Sequence, residues 1–240
     1  MREPAENPVF CAIDTNALEA ADHLAHRLAG QVGGLKLGLE FFCANGPEGV
    51  RAIGAHGLPI FLDLKLHDIP NTVAGAVRSV VPLRPTFVTV HAAGGRAMLT
   101  AAAEAAKEAA DRLHVPRPKL LAVTVLTSLD GDDLHQIGLP DDMAHLVDRL
   151  AFLAVDCGID GLVCSPREIA HLRRRFGRET VLMVPGIRPA WATADDQKRI
   201  TGPAEALAAG ADYLVIGRPI TRATDPADAA RRVAEEIAAG

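Results

Sequence analysis

Residues 61–72 read FLDLKLHDIPNT. Leu62, Leu64 and Leu66 alternate with Asp63, Lys65 and His67, the period of two that marks a β-strand. Successive strand side chains point to opposite faces, so the leucines share one face and the charges the other. A charged face ordinarily meets water. Here the preceding run HGLPIF (residues 56–61) is apolar, and the chain around it predicts strands covered on both sides. A carboxylate and an ammonium on such a strand, with a second carboxylate at Asp68 just past its end, require an opening to face.

The rest of the chain supplies one. Short apolar runs at 9–14, 34–39, 59–66, 87–92, 119–126, 161–165, 180–187 and 213–217 predict eight strands. Alanine-rich amphipathic stretches lie between them, among them 17–30, 94–113 and 141–158, and a last helix is expected over 227–239. Eight strand–helix units in 240 residues are the count of a closed (β/α)8 TIM barrel, an α/β fold. An open doubly wound sheet is the alternative, but no GxGxxG turn follows the first strand, and eight matching units favour closure. No linker, low-complexity tract or composition break divides the chain, so residues 1–240 are read as one domain. The longest excursion, 188–203, is a βα loop of the kind that usually serves function.

Bulk properties narrow the classes. Hydrophobic residues make up 49% and aromatic residues 4%, enough for one large core. A net charge of -5 argues against a nucleic-acid partner. Cys11, Cys43, Cys157 and Cys164 form no CxxC pair and read as reduced residues of an intracellular protein. The N-terminus lacks the basic and long apolar regions of a signal peptide, and no run reaches the ~18 apolar residues of a membrane span. A cytoplasmic protein without membrane contact is the expectation.

In a barrel, inward residues near the C-terminal strand ends line the mouth where active sites are built. That rule gathers Asp14 from strand 1, Lys36 from strand 2, Asp63 and Lys65 from strand 3, and His91 from strand 4. Across the mouth, strand 7 runs into Arg188, its long loop carries Gln197, and strand 8 ends in Gly217 and Arg218. Barrels commonly seat phosphate after strands 7 and 8. A glycine admits a ligand close to the backbone, and an arginine offers a planar charged fork to phosphate oxygens. The expected substrate is a phosphorylated anion whose reacting part lies near Asp63 and Lys65.

These segments, KLGLE, FLDLKLHDIPNT, VTVHAAGG, AVTVLTS, PGIRP, DDQKR and DYLVIGRPIT, together resemble the orotidine 5'-phosphate decarboxylase family over nearly the whole chain. The resemblance implies decarboxylation of orotidine 5'-phosphate to uridine 5'-phosphate, the last step of de novo UMP synthesis, with neither metal nor organic cofactor. It implies homodimers with active sites at the subunit interface. Lys65 would protonate C6 of the pyrimidine, within an alternating array of Lys36, Asp63, Lys65 and the partner's Asp68. Asp14 and Lys36 would meet ribose hydroxyls, with the partner's Thr72 reaching the ribose as well. Thr127 would face the pyrimidine, with Ser128 beside it. Arg188, Gln197, Gly217 and Arg218 would hold the phosphate, and His91 would have a supporting role.

Magnesium-dependent relatives, the 3-keto-gulonate-6-phosphate decarboxylases and hexulose-phosphate synthases, resemble the same D-x-K-x-x-D core but carry an acidic residue where this chain has Lys36. A lysine there opposes a divalent cation. A non-catalytic nucleotide sensor would keep the phosphate site and have no need of Lys65. The remaining patterns read as ordinary: His23 and His26 as a solvated helix face, Arg173–Arg175 as an outer basic patch, and Trp191 as either a cap on the phosphate loop or simple packing.

Overall fold

The structure, a computed structural model, describes residues 7–139, 141–192 and 201–240. Eight strands run β1 (Val9–Ile13), β2 (Gly34–Gly38), β3 (Ile60–Leu66), β4 (Phe87–His91), β5 (Lys119–Val123), β6 (Gly161–Val163), β7 (Val181–Val184) and β8 (Tyr213–Ile216). Each pairs in parallel with the next, and β8 pairs with β1, closing the barrel. The helices are α1 (Leu18–Leu28), α2 (Leu39–Gly54), α3 (Pro70–Val80), α4 (Gly95–Leu113), α5 (Gly131–Gln136) and α6 (Met143–Asp156). They continue with α7 (Ile169–Phe176), α8 (Pro203–Ala208), α9 (Arg218–Thr221) and α10 (Pro226–Ala239).

Two apolar layers follow from strand alternation. Cys11, Leu35, Leu37, Leu62, Leu64 and Val88 belong to the layer that also holds the helices' buried faces. Phe10, Ala12, Phe61, Phe87, Leu121, Val181, Met183 and Val215 fill the barrel's interior. Its lower part is aromatic: Phe10, Phe87 and Tyr213 meet edge-on with centroids 5.1–5.5 Å apart, and Phe61 joins at 6.1 Å from Phe87. Gly34 makes room for this floor, since a Cβ there would come 2.2 Å from the Phe10 ring. Four of the chain's nine aromatic residues thus plug the bottom and leave the top to polar side chains.

Local signals place the upper loops. Pro70 opens α3 at its first turn, where a missing N–H costs nothing and the fixed φ suits the helix. Pro185, without an amide donor, and Gly186, at φ 77, follow β7 directly. Strand 7 therefore ends at Val184 rather than at the expected 187, and β5 ends at Val123 rather than 126. Apolarity continues past β5 because Val125 still packs on the core, although it no longer belongs to the sheet. Leu39 opens α2 instead of closing β2.

Arg173 corrects one expectation. It is no simple surface charge, because its guanidinium donates to the carbonyls of Gly210 and Thr180 (both 2.9 Å) and to Asp212 (2.6 Å). Asp212 in turn accepts from the Leu182 amide at 2.7 Å, so Arg173 ties α7 to the lower ends of β7 and β8.

Candidate active site

The strand register brings the predicted charges to the upper end of the barrel. Ala12 pairs with Lys36, Lys36 with Phe61, and Gly38 with Asp63, so β1, β2 and β3 deliver Asp14, Lys36, Asp63 and Lys65 as neighbours. The ions alternate in sign. Asp14 Oδ1 lies 3.2 Å from Lys36 Nζ, which lies 4.0 Å from Asp63 Oδ2, which lies 2.7 Å from Lys65 Nζ. The Asp63 and Lys36 side chains are 12% and 13% exposed, whereas Asp14 is 58% exposed at the rim. Buried charges persist only when each has partners, and here every inner charge touches its opposite. The other oxygen of Asp63 accepts from the Thr89 hydroxyl at 2.9 Å. Thr89 is fully buried on β4.

His91 ends β4, and its ring lies 5.3 Å from that of His67. Burial, then the neighbouring His67 and Lys65, push its imidazole below the usual range, with Asp63 opposing them. It is therefore a neutral neighbour of the array near pH 7, not an additional cation.

Asp68 and Thr72 behave differently. Both are exposed, beside Ile69, which is 67% exposed. Asp68 accepts from the Ile69 amide at 2.6 Å and, among the described residues, makes no ion pair within the chain. The segment after β3 therefore leaves Asp68, Thr72 and the large apolar side chain of Ile69 exposed.

Arg188 and Arg218 stand past the ends of the adjacent strands β7 and β8; Arg188 is 5% exposed and Arg218 is exposed. The Arg188 amide donates to the Thr201 carbonyl at 3.2 Å, and Ile187 bridges Thr201, closing the base of the long excursion. Gly217 packs over β1: a Cβ there would stand 3.2 Å from the Ala12 Cβ and 3.5 Å from Asp14 Oδ2. Gln197 lies outside the described residues. Thr127 and Ser128 are exposed in the loop beyond β5, not on the strand. Trp191 resolves toward packing: the Arg232 guanidinium stacks 4.2 Å from its ring centroid, and Glu236 of α10 accepts from the adjacent Ala190 amide.

A closed (β/α)8 barrel with an alternating lysine–carboxylate array at its mouth, and two arginines on the neighbouring strand ends, is the architecture of a barrel enzyme. Residues 7–233 match the family described as "Orotidine 5'-phosphate decarboxylase / HUMPS family". The orotidine 5'-phosphate decarboxylase of Rhodospirillum rubrum is 57% identical over 99% of this chain and 96% of its own length. That of Paramagnetospirillum magneticum is 54% identical over 96% and 98%. The crystal structure of orotidine 5'-phosphate decarboxylase from Lactobacillus acidophilus superposes with a TM-score of 0.84 at 36% identity, over 97% of this chain and 99% of that one. The chain belongs to the orotidine 5'-phosphate decarboxylase / HUMPS family, and it is a lyase.

Proposed function

We propose that this protein converts orotidine 5'-phosphate to uridine 5'-phosphate and carbon dioxide, as a single barrel domain in a cytoplasmic homodimer. Lys36 carries this reading over the magnesium-dependent one. Its ammonium sits 3.2 Å from Asp14 and 4.0 Å from Asp63, filling with positive charge the place between two carboxylates that a divalent cation would need. Relatives at 57% and 54% identity bear the same activity in their names.

Each assigned role follows from what the reaction demands. Cleavage of the bond between C6 and the carboxylate carbon releases carbon dioxide and leaves the electron pair on C6, in the ring plane, where the carbonyls delocalise it poorly. A cation fixed beside C6 stabilises that pair without the reorganisation that water would need. The Lys65 ammonium supplies the charge and then transfers its proton to C6; solvent later returns a proton to the amine. Asp63, beside the departing carboxylate, raises the energy of the bound substrate more than that of the transition state. Asp14 and Lys36 bind ribose hydroxyls, and Thr127 meets the pyrimidine. Arg188, Gln197, Gly217 and Arg218 hold the phosphate, whose binding energy is available at the reacting centre. Asp68 and Thr72 complete the partner's site, a role consistent with their exposure beside Ile69.

A substrate panel tests the proposal. Orotidine 5'-phosphate should be converted to uridine 5'-phosphate, and 3-keto-gulonate 6-phosphate should be left unchanged with or without magnesium. Turnover of the sugar phosphate with magnesium, and none of the nucleotide, would assign the protein to the other branch of its family.

A further inference from the structure

Three residues of β3 oppose one residue of β4. Leu62 pairs with Val88 and Leu66 with Val90, so Asp63, Leu64 and Lys65 all lie against Thr89. Such a bulge breaks the ladder and re-aims side chains. Lys65 takes the strain, with φ at 50°, a region that side-chain-bearing residues rarely adopt. The other two non-glycine residues with positive φ among those described, Arg84 and His114, end helical segments, where left-handed backbone is common. Lys65 adopts it inside a strand.

The Thr89 hydroxyl occupies the break. It accepts from the Lys65 backbone amide at 2.8 Å and donates to Asp63 Oδ1 at 2.9 Å, while Asp63 Oδ2 holds Lys65 Nζ at 2.7 Å. One hydroxyl, fully buried, thereby fixes both the backbone of the lysine and the carboxylate that orients its side chain. Threonine can do this because its oxygen accepts and donates at once. Its branched Cβ also restricts χ1.

We propose that Thr89 is a positioning residue for the decarboxylation: it holds the β3 bulge in the conformation that sets the Lys65 ammonium against Asp63. Thr89 needs no contact with substrate for this. The inference rests on the reading of Lys65 and Asp63 as the reacting pair. Misplacing a reacting group by about 1 Å costs on the order of a hundredfold in rate, so the effect should fall on the chemical step and leave phosphate binding alone.

The test compares Thr89→Val, which keeps the shape and removes the hydroxyl, with Thr89→Ser, which keeps the hydroxyl. Thr89→Val should lose about ten- to a hundredfold in kcat, with KM and the affinity for uridine 5'-phosphate near wild type. Thr89→Ser should recover most of the rate. Sites are counted by product binding, so misfolded protein does not enter kcat. Should Thr89→Val not fold, Thr89→Ala is measured in its place, since it cannot crowd the barrel. Wild-type kcat in the variant lacking the hydroxyl, or a Thr89→Ser enzyme as slow as that variant, would overturn the positioning role. Lys65→Ala, measured alongside, separates the two claims: an inactive Lys65→Ala enzyme beside a fully active Thr89→Val enzyme refutes the positioning role alone, whereas an active Lys65→Ala enzyme refutes the reading beneath it.

Discussion

Lys65→Ala lowers kcat by on the order of 10⁴-fold or more while uridine 5'-phosphate still binds. That figure combines two losses, a positioned general acid worth roughly 10²–10⁴ and a preorganised charge at the developing carbanion worth roughly 10²–10³. Binding survives because Arg188 and Arg218 stand past the ends of β7 and β8, not on β3 with Lys65. Arg218→Ala should show the complementary pattern. Loss of a hydrogen bond to a charged phosphate removes about 1.5–3 kcal/mol, or roughly ten- to a hundredfold in kcat/KM. Phosphite dianion should restore part of the activity toward a nucleoside substrate lacking the phosphate. Steady-state kinetics with calorimetric titration of uridine 5'-phosphate reads both variants. A Lys65→Ala enzyme with near-normal kcat would mean that another group protonates C6.

Subunit exchange gives the second large effect. Lys65→Ala and Asp68→Ala homodimers should each be nearly inactive, because every site lacks one member of the array. A hybrid of the two has one site lacking both residues and one site in which native Lys65 meets native Asp68. With random exchange roughly half the dimers are hybrids, so about a quarter of all sites regain the full array, as two-fold symmetry requires. Activity of the unfolded and refolded mixture, compared with each parent treated alike, measures that fraction. Well-exchanged hybrids no more active than their parents would place Asp68 within its own barrel.

The barrel was legible because its signals are repetitive: eight apolar runs, each followed by an amphipathic stretch, and a charged residue at several C-terminal strand ends. Asp14, Lys36, Asp63 and Lys65 come together because parallel strands in register carry like positions to one rim. What the alternation could not reveal is the bulge. A period of two continues unbroken through Leu62, Asp63, Leu64, Lys65 and Leu66, yet the backbone turns left-handed at Lys65. Only the partner strand shows that three of these residues face one. Thr89 is hidden for the same reason, although its place between Phe87 and His91 puts a hydroxyl on the inward face of β4. The end of β5 was obscured by Val125, which stays in the core after the strand has stopped. Arg173 was hidden by its exposed neighbours, since its ties to Gly210, Thr180 and Asp212 come from sequence-distant segments.

The chain's own lysines and carboxylates, without a bound magnesium ion, should supply the charge for this decarboxylation. The direct measurement is the fading of the orotidine 5'-phosphate absorbance band on adding purified protein that has been exhaustively treated with EDTA and assayed in its presence. Lys36 and Lys65 supply the positive charge at the array, so the rate should equal that of untreated enzyme and be unchanged by added magnesium. Activity abolished by the chelator and restored by magnesium would contradict the account.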